Sequence, residues 1–171
     1  MLEKYWDGKN WLVVKKSKFE IKYYLNGDLH RNDGPAQIFY YFINNSIKIE
    51  TYYLNGKEHR ENGPALIKYN KNGLIISKMF FYYGKKHKEN GPAEIWFREN
   101  IISIENYFFN DNLHKFDGPA FNMYDYDQSK FLEGYYVNGI EFNPDDLPFK
   151  MPIDTNEKEL YFKLKYGDNN D

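Results

Sequence analysis

Apolar and polar positions alternate with a period of two over short stretches, and the pattern recurs along the chain. Four segments align without gaps: Tyr23 to Ala36 (YYLNGDLHRNDGPA), Tyr52 to Ala65 (YYLNGKEHRENGPA), Phe80 to Ala93 (FFYYGKKHKENGPA) and Tyr107 to Ala120 (YFFNDNLHKFDGPA). Their histidines, His30, His59, His87 and His114, stand 29, 28 and 27 residues apart. Two adjacent aromatics open each segment, and adjacent side chains on a strand point to opposite faces, so both faces are partly covered. After each Gly-Pro-Ala comes a second strand. Ile38, Ile67, Ile95 and Asn122, then Tyr40, Tyr69, Phe97 and Tyr124, continue a stripe from the Ala. Phe39, Lys68, Trp96 and Met123 sit between them and vary in type. The constant stripe is expected to pack and the varying column to be exposed.

The turns carry their own signals. Asn26-Gly27 and Asn55-Gly56 suit type I′ hairpins, which need positive φ at both central residues. Asp33-Gly34, Asn62-Gly63, Asn90-Gly91 and Asp117-Gly118 each precede a proline (Pro35, Pro64, Pro92, Pro119), which belongs at the start of a strand, before the ladder needs its N–H. Asn44-Asn45, Asn72-Gly73 and Gln128-Ser129 mark the return turns. These features predict an all-β fold: an elongated antiparallel meander of hairpin repeats, roughly ten strands, one hairpin per unit. Residues 1–19 read as a degenerate N-terminal cap, 20–142 as the repeats and 143–171 as a C-terminal cap and tail. A fifth copy, Tyr135 to Phe142, carries Phe142 at the His position and lacks Gly-Pro-Ala. A first, shorter copy is Tyr5 to Gly8. Such irregular ends are what caps look like. Residues 155–166 read as covering the last open edge, either as a closing strand by the alternation of Leu160, Phe162, Leu164 and Tyr166, or as a short helix by Asp154 and Glu157.

The repeated Tyr-x-x-Asn-Gly-x-x-His unit resembles the MORN repeat. It is closer still to a divergent variant with Asn-Gly-x-x-His-Arg-x-Asp-Gly-Pro-Ala, and the resemblance covers about residues 20–142. It implies an extended antiparallel sheet that serves as a binding or tethering scaffold rather than a catalyst. Variants of this kind resemble repeats common in phage and giant-virus genomes. A viral accessory factor that blocks a host defence complex by steric occlusion is the role that follows.

Composition sharpens the picture. The 171 residues include three Trp, seventeen Tyr and fourteen Phe, 20% aromatic, yet mean hydropathy is −0.82. Broad rings covering one another suit a thin sheet better than a helical bundle. With no cysteine there is no disulfide framework, thiolate metal site or Cys nucleophile. Net charge is −2, which shows no bulk bias toward nucleic acid. No apolar run approaches a membrane span, and the first residues lack the order of a signal peptide. A soluble protein of the cytoplasm (the host's, if viral) is the expectation.

Candidate chemistry is sparse. Equivalent histidines in successive hairpins stand about 10 Å apart, whereas nitrogens sharing one zinc lie within about 4 Å of each other. A structural role in every unit is therefore expected for His30, His59, His87 and His114, as for Gly34, Gly63, Gly91 and Gly118. No metal and no cofactor is expected. No nucleophile, P-loop or dinucleotide motif is present, so no catalytic residue is assigned. A hydrolase would need one deep pocket holding a His and two carboxylates. Arg31, Arg60, Lys88 and Lys115 follow the histidines and could track phosphates, but Asp33, Glu61, Glu89 and Asp117 stand close enough to neutralise them. The third unit is the most basic, with Lys85, Lys86 and Lys88 facing a strand that holds Trp96 and Arg98. Cations interleaved with rings suit single-stranded nucleic acid or anionic lipid. Trp and Arg equally anchor protein interfaces, and a protein partner is favoured, bound by Phe39, Lys68, Lys85, Lys86, Lys88, Trp96, Arg98 and Met123. Open sheet edges also allow a homo-oligomer.

Overall fold

A computed structural model describes residues 3–147 and, beyond them, 156, 160, 161, 164 and 165. The strands are β1 (Glu3–Trp6), β2 (Trp11–Lys16), β3 (Glu20–Leu25), β4 (Asp28–Leu29), β5 (Gln37–Tyr40), β6 (Ile47–Thr51), β7 (Tyr53–Leu54), β8 (Lys57–Glu58), β9 (Leu66–Tyr69), β10 (Ile75–Met79), β11 (Phe81–Tyr82), β12 (Lys85–Lys86), β13 (Glu94–Arg98), β14 (Ile101–Asn106), β15 (Phe108–Phe109), β16 (Asn112–Leu113), β17 (Phe121–Tyr124), β18 (Lys130–Gly134), β19 (Tyr136–Val137) and β20 (Ile140–Glu141). A 3-10 turn follows at Pro144–Asp146. The fold is all-β, as the alternation predicts.

One antiparallel sheet runs β1-β2-β3-β5-β6-β9-β10-β13-β14-β17-β18, with β4 paired to β3 off this path. The remaining strands form four two-stranded ribbons, β7-β8, β11-β12, β15-β16 and β19-β20. Each of these units therefore holds two hairpins where the sequence reading placed one. In the first unit β3 runs unbroken from the sheet into the Asn26-Gly27 tip. In later units the strand breaks at Tyr52, Phe80, Tyr107 and Tyr135, and the tip becomes a separate ribbon.

Successive tips are stitched together. The N–H groups of Gly56, Gly84, Asp111 and Gly139 donate to the carbonyls of Leu29, Glu58, Lys86 and Leu113 at 2.8, 2.8, 3.0 and 2.9 Å. The tip turns take positive φ at Asn26, Asn55, Tyr83, Asn110 and Asn138. The return turns lie where Asn45, Gly73 and Gln128 predict, and a further one at Glu99-Asn100, which carries no Gly, went unread. Each return strand bulges at the same place, so that Lys48, Ile76, Ser103 and Phe131 have no cross-strand partner in the hairpin ladder.

The core is thin. Ala36, Ala65, Ala93 and Ala120 are fully buried where each unit enters the sheet, with Leu12 and Val14 buried near the N-terminal edge. Of the segment read as closing strand or helix, Asn156, Leu160, Tyr161, Leu164 and Lys165 are helical. The remainder of that segment, and most of the predicted cap at 143–171, lies outside the described residues.

Candidate binding face

The residues that every unit shares are engaged inside the fold. Three histidines bond at Nδ1 to the tip turn of the next unit: His30 donates to the Asn55 side-chain oxygen at 2.8 Å while its Nε2 accepts from the Asn32 side chain at 3.1 Å, and His59 and His114 accept from the N–H of Tyr83 (3.3 Å) and Asn138 (3.1 Å). His87 has no partner at Nδ1 and packs against Phe109 instead, with ring centroids 4.8 Å apart. Among the described residues no group of three or more His, Asp or Glu is placed to hold a metal ion.

The basic residue after each histidine folds back over the first aromatic of its own unit. Arg31 lies 4.3 Å from the Tyr23 centroid, Arg60 3.9 Å from Tyr52, Lys88 4.0 Å from Phe80 and Lys115 4.0 Å from Tyr107. Each is a cation over a ring face. The two arginines also donate to the carbonyls of Pro35 and Pro64. Gly34, Gly63, Gly91 and Gly118 leave room for these side chains. A β-carbon on Gly34 would stand 3.0 Å from Arg31 Cζ, and one on Gly63 3.3 Å from Arg60 Cζ. Acids neutralise the column only in part: Arg31 pairs with Asp33 at 2.7 Å and Lys115 with Asp117 at 4.0 Å.

The varying column falls into a single row. Cross-strand partners run from Glu20 through Phe39, Ile49, Lys68, Ser77, Trp96, Ile104 and Met123 to Leu132. Directly opposite residues in a ladder share a face, so these form one stripe across the sheet. The expectation that Phe39 and Trp96 stand exposed needs correction. Phe39, Lys68, Trp96 and Met123 are half-buried, because large side chains side by side in one row cover one another, as Lys68 covers Trp96.

Trp96 is held at the centre of this stripe. Its indole N–H donates to Glu94 at 3.0 Å, and Lys68 Nζ stands 5.5 Å from its ring centroid. Glu94 is buried and also accepts from Lys86 at 3.0 Å and from Asn106 at 3.3 Å. Burial pushes the Glu94 carboxyl up, but Lys86, Trp96 and Asn106 outweigh it and hold it below the usual carboxylate value. On the opposite face, Tyr69 and Tyr124 donate to Glu50 and Glu105 at 2.6 and 2.7 Å. Burial and these carboxylates push both phenols up.

The basic patch of the third unit divides. Lys86 turns to Glu94 and the Phe108 ring, Lys88 lies over Phe80, and Lys85 is exposed on the tip ribbon. Burial pulls the Lys88 ammonium down, an effect that nearby Lys78 adds to and Glu105 opposes. Arg98 is exposed and stacks on Tyr126 at 4.7 Å.

Sequence reasoning missed a ridge of rings along the tips. Tyr83 stacks on His59 at 4.1 Å, Tyr82 meets His59 edge-on at 5.2 Å, and Phe109 bridges His87 and His114. Tyr82, Tyr83 and Phe109 are all exposed. The available signal was the third unit's Tyr82-Tyr83 at positions that are Leu-Asn in the first two units.

A recess of about 680 Å³ lies between the loops of the first two units and includes Asp7, Arg31, Asp33, His59, Arg60 and Glu61. It brings together a His and carboxylates, the combination a hydrolase would need, but most of these groups are engaged. Asp7 accepts from the Lys9, Asn10 and Asn32 backbone and from the Asn32 side chain. Asp33 accepts from Arg31 and Tyr5. His59 Nε2 is closed off from solvent.

Comparison with family models, with curated proteins and with solved structures finds no match to this chain.

Proposed function

We propose that this chain is a non-enzymatic repeat scaffold that binds a protein partner through the face carrying Phe39, Lys68, Trp96 and Met123. Following the MORN-like resemblance, its role is that of a viral or phage accessory factor that covers a host defence complex in the cytoplasm. One observation carries the binding reading. The shared residues are turned inward to join units, while the varying residues line up in one row around a Trp whose indole is fixed by Glu94. A Trp held in one orientation loses little side-chain entropy on contact, which favours it as an anchor.

Affinity capture from host cells followed by mass spectrometry tests this. A specific protein should co-purify, and the combined variant Phe39→Ala, Lys68→Ala, Trp96→Phe, Met123→Ala should lose it while remaining folded. Capture unchanged by that variant overturns the face. Capture of nucleic acid or anionic lipid instead, falling steeply with salt, would favour the alternative reading.

A further inference from the structure

The last unit ends on an interface that the other units fill. In each internal unit the return strand receives the next Gly-Pro-Ala strand in an antiparallel three-residue register. Ile49, Glu50 and Thr51 pair with Lys68, Ile67 and Leu66. Ser77, Lys78 and Met79 pair with Trp96, Ile95 and Glu94. Ile104, Glu105 and Asn106 pair with Met123, Asn122 and Phe121. The junction closes with the N–H of Tyr52, Phe80 or Tyr107 donating to the carbonyl of Ala65, Ala93 or Ala120, each at 2.7 Å.

The equivalent residues of the last unit are Leu132, Glu133, Gly134 and Tyr135. The inner side of β18 pairs with β17, and the Gly134 carbonyl accepts from Ala120 at 2.9 Å. Alternation then turns the N–H and C=O of Glu133 and the N–H of Tyr135 outward, where they have no partner among the described residues. Leu132 is 51% exposed, whereas of its equivalents Ser77 is buried and Ile49 and Ile104 are half-buried. Phe131, at the bulge beside it, is 57% exposed.

We infer that the outer edge of β18 is a preformed acceptor for an extended segment of the partner protein, added as an antiparallel strand against Leu132, Glu133 and Tyr135. The inference rests on the proposed protein-binding function and deepens it, because Leu132 is the last residue of the row that contains Trp96 and Met123. The internal junctions state what fits. A small residue meets Tyr135, an Ile or Asn lies opposite Glu133, and a large side chain lies opposite Leu132.

A second copy fits poorly. Two β18 strands meeting in the internal register would set Glu133 against Glu133 on one face. The other outer strand, β1, stands an even number of antiparallel steps away, so a translated copy would present it parallel to β18. All three precedents are antiparallel.

The test is amide hydrogen exchange by NMR on the full chain with a millimolar synthetic peptide, Gly-Pro-Ala-Leu-Ile-Lys-Tyr, which copies residues 63–69. Exchange at Glu133 and Tyr135 should slow by about tenfold or more, as for amides newly placed in a ladder. Glu133→Pro removes the outward N–H, together with the carboxylate contacts to Lys130 and Tyr135, and leaves the inner ladder intact, so it should abolish the effect while the chain still melts cooperatively. Should that variant unfold, the same peptide N-methylated at Ile must fail to bind. No protection at Glu133 and Tyr135, or equal binding of the methylated peptide, overturns the inference. So does a concentration-dependent dimer in sedimentation that Glu133→Pro abolishes, since a second copy would then be the occupant. Partner capture separates the two levels. If Glu133→Pro keeps the partner while the row variant loses it, only the edge assignment fails. If neither variant loses it, the binding face fails too.

Discussion

Arg60 lies over the ring of Tyr52, with its guanidinium carbon 3.9 Å from the ring centroid. The two residues are eight apart in sequence and are brought together by the tip hairpin between them. The same contact recurs in the other three full units, with Gly four positions after the His as the third member.

That clamp makes a separable prediction at Gly34, whose backbone does not need positive φ but whose added β-carbon would stand 3.0 Å from Arg31 Cζ. Gly34→Ala should cost about 1 kcal/mol by moving Arg31 off Tyr23 and Tyr5. In an Arg31→Ala background the same change should cost almost nothing. Urea melts of the four proteins in this cycle give the coupling, and additive costs would remove the clamp.

The histidines should not be equivalent. His30 is buried, and its loss strands the side chains of Asn55 and Asn32, so His30→Phe should cost about 2 kcal/mol. His87 has no partner at Nδ1, and its ring packs on Phe109, so His87→Phe should cost under about 1 kcal/mol. Equal losses in denaturant melts would contradict the hydrogen-bonded seam.

Acid sensitivity should trace in part to Glu94. Its folded-state pKa lies below the unfolded one, so its contribution is complete above the unfolded value, near pH 4, and is lost as pH falls through the folded value. Glu94→Gln should therefore be less stable than the parent at neutral pH, with the gap closing in acid. Thermal melts across that range check the sign, and a gap that widens in acid would refute it.

Tyr83 occupies a tip position where the other four turns hold Asn, at φ 47°. A left-handed conformation costs most residues about 1–2 kcal/mol, and Asn tolerates it better. The stack on His59 offsets part of that cost. Tyr83→Asn is expected to raise stability, by up to about 1 kcal/mol. A loss of that size in a thermal melt would show that the stack dominates.

Much of the architecture was legible in the chain. Alternation located the strands after each Gly-Pro-Ala, and Asn-Gly and Asn-Asn pairs located most turns, because backbone sterics act over a few residues. The third return turn was not legible, since Glu99-Asn100 enters positive φ without glycine. The alignment of Phe39, Lys68, Trp96 and Met123 followed from equal spacing, but their half-burial did not. Spacing sets which face a residue takes, while burial depends on which side chains stand beside it in the row. Likewise the basic residues looked like a cationic column because their rings lie eight positions earlier, across a turn.

The sequence by itself determined that hairpin units repeat, where each turns and which positions vary, all consequences of local dihedral preferences and a two-residue period. Only the tertiary structure decided that the later tips are separate ribbons, that three of the histidines bond forward to the next unit and that β18 has no outer strand among the described residues. Those outcomes depend on what one unit finds beside it. Hydrogen bonds between units join residues some 25 positions apart, and no local preference can specify them.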